Sequence, residues 1–390
     1  MYVNIAVLKE TTPHERRFGM VPAVATRLQK LGGRLHMQPG AASSIDLMDE
    51  AFPDVIFIDD TKDLVAEADV VLAVQSPSQT TIKAMRDGAI LICYLEADAE
   101  PELLKLLCTK KITCFAMQSI PRISRAQAMD ALSSQAALAG YYSVQLGATH
   151  LARVLPKITT AAGVIGPAKV LVLGLGVAGL EALATAQRLG AVVEGYDVRP
   201  ETEEEALSLG GKFVETGVDA RGKGGYAREL TPQEKSEVTA VLTKHIQEAD
   251  LIITTAAIPG RPSPKLISKA QVAGMKAGAV IVDLSAEGGG NCAGIVPGET
   301  THVGAVTLLA PLNVPSLLGE DASNLYSENQ YHLLALMMKD NVIRLDWSDE
   351  ILAKTVLTHA GKLGPGAADT VPSSDNASNN TGTPLAKSAA

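Results

Sequence analysis

Aromatic residues are scarce: five Phe, eight Tyr and a single Trp in 390 residues. Trp347 alone builds no stacking platform for bases. Basic charge is not in excess either. The net charge of −9 excludes a general nucleic-acid binder, which needs a basic face. No apolar run reaches the roughly 18 residues of a spanning helix, so the chain by itself crosses no membrane. The opening "MYVNIAVLKE" has no basic region followed by a long apolar stretch, and reads as a strand, not a signal peptide. Cys93, Cys108, Cys114 and Cys292 show no CxxC pairing and no histidine at zinc-ligand spacing. They read as reduced, mostly buried thiols of a cytosolic protein, with no metal site.

What is present is an α/β pattern. Hydrophobic residues make up 46% of the chain and charged ones 20%, a globular balance with length enough for two cores. "VNIAVL", "GGRLHMQPG", "DVIFI", "ADVVLAV", "GAILICYL" and "KITCFAM" are short β-rich runs separated by helical patterns such as 21–31 and 100–110. A second series starts near residue 168 with "AKVLVLGLGVAGL" and runs through "ADLIITTA", "GAVIVDL" and "GAVTLLA". This alternation predicts two Rossmann-like domains with mostly parallel sheets. Helical patterns at 130–155 and 315–340 flank the second series, so two long helices are expected to cross between the domains. The first domain is then discontinuous, 1–133 plus 325–360, with 134–324 as the second. The Gly, Pro, Ser and Asn-rich remainder, 361–390, has little to bury and reads as a flexible tail.

The sharpest local signal is "VLVLGLGVAGLEALATAQRLGAVVEGYD", residues 170–197. An apolar strand meets Gly174, Gly176 and Gly179 in GxGxxG spacing, with Leu175, Val177 and Ala178 between them. A helix and a second strand follow, ending at Asp197, 23 residues after Gly174. Gly174 permits a tight turn, Gly176 lets backbone approach a pyrophosphate, and Gly179 permits close helix–strand packing. The helix N-terminus, at Val177 and Ala178, offers N–H groups to phosphates. Asp197 is placed to accept both hydroxyls of an adenosine ribose and to repel a 2′-phosphate, which favours NAD over NADP. Arg199 blunts that preference or is a solvated turn residue.

A second stretch, "IPRISRAQAMDALSSQ" at 120–135, packs two arginines, an aspartate and three serines ahead of a helical pattern. It reads either as an exposed loop or as a clamp for a polar ligand. With "LKETTPHERRFGMVP", this stretch and GLGVAG together, the sequence resembles the NAD(H)-binding component, domain I of the alpha subunit, of proton-translocating nicotinamide nucleotide transhydrogenases. The resemblance runs from residue 1 to about 361, and "GGYARE", "TTAAIPG" and "DLSAEGGGNC" support it. It implies that Arg122, Gln127, Asp130 and Ser133 hold the nicotinamide end of NAD(H). Gln127 and Asp130 are then the residues nearest the chemistry, with Asp130 orienting Arg122 and Ser133 bonding the carboxamide. Asp130 is equally placed to favour a helix N-terminus through the helix dipole. Tyr226, in the long glycine-rich stretch 219–235, matches the tyrosine of a loop that closes on nucleotide, and a plain surface insertion is the alternative.

The resemblance further implies hydride transfer between NADH and NADP⁺ held on a partner subunit, coupled to proton translocation by a membrane-spanning subunit. It implies a homodimer and a peripheral place on the cytoplasmic face of the inner membrane. Alanine dehydrogenases share the two-domain plan but need a lysine and a histidine for keto-acid chemistry. The matching stretches here read "AVQSP" and "CYLEAD", with Gln75 and Glu96 in those places. Lys9 and Arg17 remain, and salt bridging accounts for them as well as catalysis does. An amino-acid dehydrogenase with altered residues and an NADH-sensing binding module are the two competing readings. Asn291 and Glu287 stand near the ligand or shape a turn, and His150, His245, His302 and His359 read as structural.

Overall fold

The computed structural model describes residues 2–96, 100–218, 228, 230–257 and 262–368. Two sheets organise them. The first runs, edge to edge, through Lys362–Leu363, Val356–His359, Thr113–Ala116, Ile90–Cys93, Val70–Leu72, Val3–Val7, Gly33–Met37 and Ile56–Phe57. Its six N-terminal strands are parallel, and the late strand Val356–His359 joins antiparallel beside Thr113–Ala116. The second runs through Lys212–Phe213, Val192–Tyr196, Lys169–Leu173, Leu251–Thr254, Val280–Asp283, Val306–Leu309 and Thr300–Val303. Only its last pair is antiparallel.

The sequence dictates this layering. Central strands such as Val70–Leu72, Ile90–Cys93 and Val280–Asp283 are buried at every position, the pattern of strands covered on both faces. Alternate residues then serve opposite cores. Ile5 and Val7 pack on one face of the first sheet, Ala6 and Leu8 on the other. In the second sheet Leu171 and Leu173 face one core while Val170 and Val172 face its opposite.

Two long helices join the domains. Ala131–His150 starts at Asp130, whose carboxylate caps Ser133 N at 2.9 Å. This helix buries small residues along one face. A Cβ at Gly140 would lie 2.1 Å from the Ala178 carbonyl oxygen, and one at Gly147 would lie 2.5 Å from Leu251 Cδ1. Glycine there lets the helix lie directly on the helix Val177–Arg188 and the second sheet. The other helix, Gly319–Met337, caps the carboxyl edge of the first sheet. Tyr326, fully buried, donates to the Ala73 carbonyl at 3.0 Å, and Gln330 Nε2 donates to the Ala73 and Ile92 carbonyls at 2.9 and 3.2 Å. Each such bond is worth about 1 kcal/mol net, but losing one partner strands a buried group at greater cost. The helices also bind each other, through Ser134 Oγ to Asn329 Oδ1 at 2.7 Å and Gln135 Nε2 to the Ala322 carbonyl at 3.0 Å.

The structure departs from the sequence reading in three places. Order continues past residue 361: Lys362–Leu363 pairs with Thr358 and His359 across Ala360 and Gly361, both at positive φ (48° and 83°) as a tight hairpin turn requires. Residues 369–390 lie outside the described residues. The 315–340 pattern opens with a 3₁₀ turn, Val314–Leu318, before the α-helix begins. A hairpin, Ile158–Thr160 with Gly163–Ile165, extends the segment after the first crossing helix, where the residues show no clear alternation.

Candidate nucleotide site

The glycine turn sits at the carboxyl end of Lys169–Leu173, between that strand and the helix Val177–Arg188. Gly174 adopts φ 96°, which L side chains rarely tolerate, and a Cβ there would meet Thr255 Oγ1 at 2.8 Å. Its N–H donates to the Tyr196 carbonyl at 2.8 Å, and its own carbonyl accepts from Thr255 Oγ1 at 2.9 Å. Gly179 lies so close beneath that a Cβ would fall 1.8 Å from Gly174 O. Gly176 is the opposite case: a Cβ built there meets nothing within 4 Å. It is the N-cap of the helix and makes no side-chain cap bond. Val177 is exposed and Ala178 half-buried in the first turn. The turn is thus tightly packed from below and open above, with helix N–H groups facing the opening. This shape suits a diphosphate.

Asp197 stands beside the turn. Its Oδ2 accepts from Leu175 N at 2.7 Å, so the carboxylate braces the glycine turn. Arg199 engages the same carboxylate through Nε at 2.9 Å and Nη2 at 3.0 Å. The pair holds the Arg199 guanidinium above its usual pKa, chiefly through that hydrogen bond.

On the floor of the same crevice, Asp283 is buried and accepts from Ser285 N, Asn291 N and Cys292 N at 3.0, 2.7 and 2.8 Å. Burial outweighs those bonds and raises its pKa. Asn291 is fully buried; it accepts from Ala256 N at 3.0 Å and donates to the Ala256 and Pro264 carbonyls at 2.7 and 2.8 Å. Asn291 is therefore a brace for the loop after Leu251–Thr254. Glu287 accepts from Asn313 N at 2.8 Å, at the passage between domains. Tyr226 and the "IPG" of "TTAAIPG" lie outside the described residues.

The polar stretch 120–135 forms a 3₁₀ turn, Ser124–Met129, leading into the first crossing helix. Ala126 and Met129 are buried and anchor it, while Arg122 and Gln127 are exposed. Asp130 accepts from both Ser133 N and Ser133 Oγ, at 2.9 and 2.6 Å, so these two form one capping unit. The turn is clasped from outside by the returning C-terminal segment: Arg125 makes a two-pronged bond to Asp349 at 2.6 Å each, and Asn329 Nδ2 holds the Ala128 carbonyl at 2.9 Å. Because the helix that begins at Ala131 reaches Ala178 at Gly140, nine residues or about 13 Å of helix separate this turn from the glycine turn. One helix thus ties the two turns together.

Of the two roles open to Arg17, the structure shows salt bridging, and the partners around it were not named from the sequence. Glu15 and Arg17 form a buried pair, Nε to Oε1 at 2.8 Å and Nη2 to Oε2 at 2.6 Å. Gln135 accepts the remaining Arg17 prong at 3.0 Å, and Gln75, Asn313 and Ser316 all donate to Glu15, at 2.7, 3.0 and 3.1 Å. Burial by itself would raise the Glu15 pKa, but Arg17 and the Gln75 side chain bring it down to about 2. Half-buried Glu10 accepts from Val74 N at 2.6 Å and Gln75 N at 3.3 Å, yet burial pushes its carboxyl up to about 7. The charge-rich "KETTPHERR" after the first strand is the available signal for this cluster. Glu96 is exposed. The four cysteines are unpaired and three of them buried.

Fold and turn together define an α/β dinucleotide-binding protein of two Rossmann-like domains. Two family models match the chain: the alanine dehydrogenase/PNT N-terminal domain at residues 6–139 and the alanine dehydrogenase/PNT C-terminal domain at 143–365. The chain belongs to this family, as the resemblance read from its motifs implied. It is 39% identical to an NAD(P) transhydrogenase subunit alpha chain of Rhodospirillum rubrum, over 93% of this chain and 97% of that one. It is likewise 39% identical to the NAD(P) transhydrogenase subunit alpha of Cereibacter sphaeroides, over 93% of this chain and 71% of that one. A crystal structure of transhydrogenase from Sinorhizobium meliloti superposes with a TM-score of 0.84 at 38% identity, covering 92% of this chain and 99% of the other. An L-alanine dehydrogenase structure superposes with a TM-score of 0.74 at 25% identity, covering 94% and 99%. Among the described residues no helix is long and apolar enough to cross a membrane.

Proposed function

We propose that this chain is the NAD(H)-binding component of a proton-translocating transhydrogenase. In this reading it presents NAD(H) to NADP(H) held on a partner subunit, and the reaction is NADH + NADP⁺ ⇌ NAD⁺ + NADPH. Bound NAD(H) supplies the hydride at its nicotinamide C4. The protein's own work is orientation and exclusion of water. The Gly174–Gly179 turn holds the diphosphate and Asp197 the adenosine ribose. Arg122 and Gln127 hold the nicotinamide carboxamide, with Asp130 and Ser133 fixing the base of their turn.

The observation that carries this reading is the engagement of Arg17. A keto-acid dehydrogenase needs a cation for the substrate carboxylate and a group that moves a proton. Here the guanidinium is spent on Glu15 and Gln135, and Gln75 adds no titratable group. A hydride passing between two nicotinamides requires neither. Among the described residues, the engaged Arg17 and the neutral Gln75 favour dinucleotide positioning over amino-acid oxidation.

The reading extends to the assembly. The chain works peripherally on the cytoplasmic face of the inner membrane through a membrane-spanning proton-channel subunit, and as a homodimer. Exposed Leu132, Tyr141 and Leu325 on the crossing helices suit such a self-contact. We take 1–133 with 325–360 as one domain and 134–324 as the other, consistent with Val356–His359 pairing beside Thr113–Ala116. The test follows NADPH formation from NADH and NADP⁺ on the NADP(H)-binding component, with this chain present or omitted. Formation that requires this chain supports the reading. No formation, with the partner loaded and NADH shown to bind, leaves an NADH-sensing module instead. NADH oxidation driven by pyruvate and ammonia would establish the dehydrogenase.

A further inference from the structure

The Asp197 carboxylate is fully subscribed. A carboxylate offers about four lone-pair positions, two on each oxygen. Oδ1 accepts from Arg199 N and Arg199 Nε, both at 2.9 Å. Oδ2 accepts from Leu175 N at 2.7 Å and from Arg199 Nη2 at 3.0 Å. Two of these bonds come from backbone and hold the carboxylate in place. The other two come from the Arg199 side chain, one on each oxygen. The Asp197 side chain is 7% exposed and that of Arg199 26%, so the ion pair sits at the rim with its acid inward.

A ribose diol needs what Arg199 occupies: one acceptor position on each oxygen. We infer that Arg199 is a displaceable clasp on Asp197 and that the two residues as a pair set the contrast between NAD(H) and NADP(H) at this site. The inference rests on the reading that the Gly174 turn takes the adenosine half of NAD(H). When the ribose 2′ and 3′ hydroxyls arrive, they replace Nε and Nη2 one for one, and the Leu175 and Arg199 backbone bonds persist. The carboxylate ends as satisfied as it began. A 2′-phosphate offers no donor at that position. It must part the ion pair while leaving a nearly buried carboxylate short of a partner and facing a second anion, which is costly. The guanidinium that moves aside is, however, a ready partner for a phosphate. Asp197 thus keeps Arg199 from serving NADP(H), and Arg199 holds Asp197 until a diol displaces it.

The two residues therefore have opposite signatures. Binding is measured by calorimetry with NADH and NADPH, and with 5′-ADP and 2′,5′-ADP to isolate the adenosine half. Salt is held at about 1 M, where the Debye length is about 3 Å and general attraction of a cation for the diphosphate is screened. Arg199→Ala is expected to bind NADH and 5′-ADP about threefold to tenfold more tightly, because no clasp is displaced, a difference of up to one decade at 1.4 kcal/mol per decade. Asp197→Asn is expected to gain affinity for NADPH and 2′,5′-ADP about tenfold while losing affinity for NADH. The double variant should lose that gain. Thermal melts of each variant confirm folding. Weaker or unchanged NADH binding in Arg199→Ala overturns the clasp, as does a folded Asp197→Asn without any gain for 2′,5′-ADP. If the unaltered chain binds neither NADH nor 5′-ADP, the nucleotide reading itself falls. If it binds both and only the variants misbehave, the failure belongs to the clasp.

Discussion

Both domains present the carboxyl edge of a parallel sheet to the same crevice, yet they finish that edge in opposite ways. The second domain builds it from backbone: glycines at 174, 176 and 179, an uncapped helix start, and open space above Gly176. The first builds it from side chains, with Glu10, Glu15, Arg17, Gln75, Tyr326 and Gln330 bonded to one another and to the strand ends. One edge keeps donors available for a ligand; the other has consumed them.

The contrast can be broken most forcefully at Arg17. Arg17→Met strands the Glu15 carboxylate inside the protein, and stability should fall by about 3–5 kcal/mol in denaturant melts. Glu15→Gln combined with Arg17→Met should recover most of that loss, since removing both partners of a buried pair is far less costly. A single variant without measurable loss would mean the pair is not what seals this edge.

Glu10 gives the next largest effect. Its folded pKa, about 7, lies above the ordinary carboxylate value of 4.5, so ionisation costs stability. That contribution is fully present below pH 4.5 and is lost as pH rises through about 7, about 3 kcal/mol in all. Glu10→Gln should be flat over this window where the unaltered chain declines. Glu15 behaves with the opposite sign: held down to about 2, it stabilises above pH 4.5 and loses that contribution as pH falls toward 2. Parallel pH–stability curves for Glu10→Gln and the parent would show that Glu10 carries no such cost.

On the backbone-built edge, Gly179→Ala pushes a methyl into the Gly174 carbonyl. A cost of about 1–3 kcal/mol is expected, and NADH affinity should drop about tenfold to a hundredfold as the turn shifts. Arg122→Ala and Gln127→Ala should act more gently, lowering hydride transfer about tenfold while NADH binding, dominated by the adenosine half, changes little. Stopped-flow transfer rates set against calorimetric binding separate these outcomes. A binding loss as large as the rate loss would move both residues out of the nicotinamide role.

How far the sequence reveals this depends on what each feature is made of. The glycine turn is legible because its spacing follows from backbone geometry: Gly174 at positive φ, Gly179 beneath it, Asp197 one strand away. The alternating strands are legible for the same reason. Gly140 and Gly147 carry no local signal, because their value lies in which neighbour each meets, Ala178 and Leu251. The Glu15–Arg17 pair is present in composition, but its partners Gln135, Asn313 and Ser316 lie 118 or more positions away. The sequence places Asp130 at a helix N-terminus and, by resemblance, with Ser133 at the ligand; the bond between the two side chains that builds the helix cap is what the structure adds.

A chain that orients NAD(H) for direct hydride transfer, and takes no part in proton chemistry on a carbon substrate, must pass the hydride without exchange. The most direct measurement uses NADH doubly deuterated at C4, this chain, and the NADP(H)-binding component loaded with NADP⁺, with mass analysis of the products. The expected product is NADPH carrying one deuterium at C4, formed only when this chain is present, with no label appearing in water. Label lost to solvent, or NADPH formed equally well without this chain, would contradict direct transfer from the nucleotide held here.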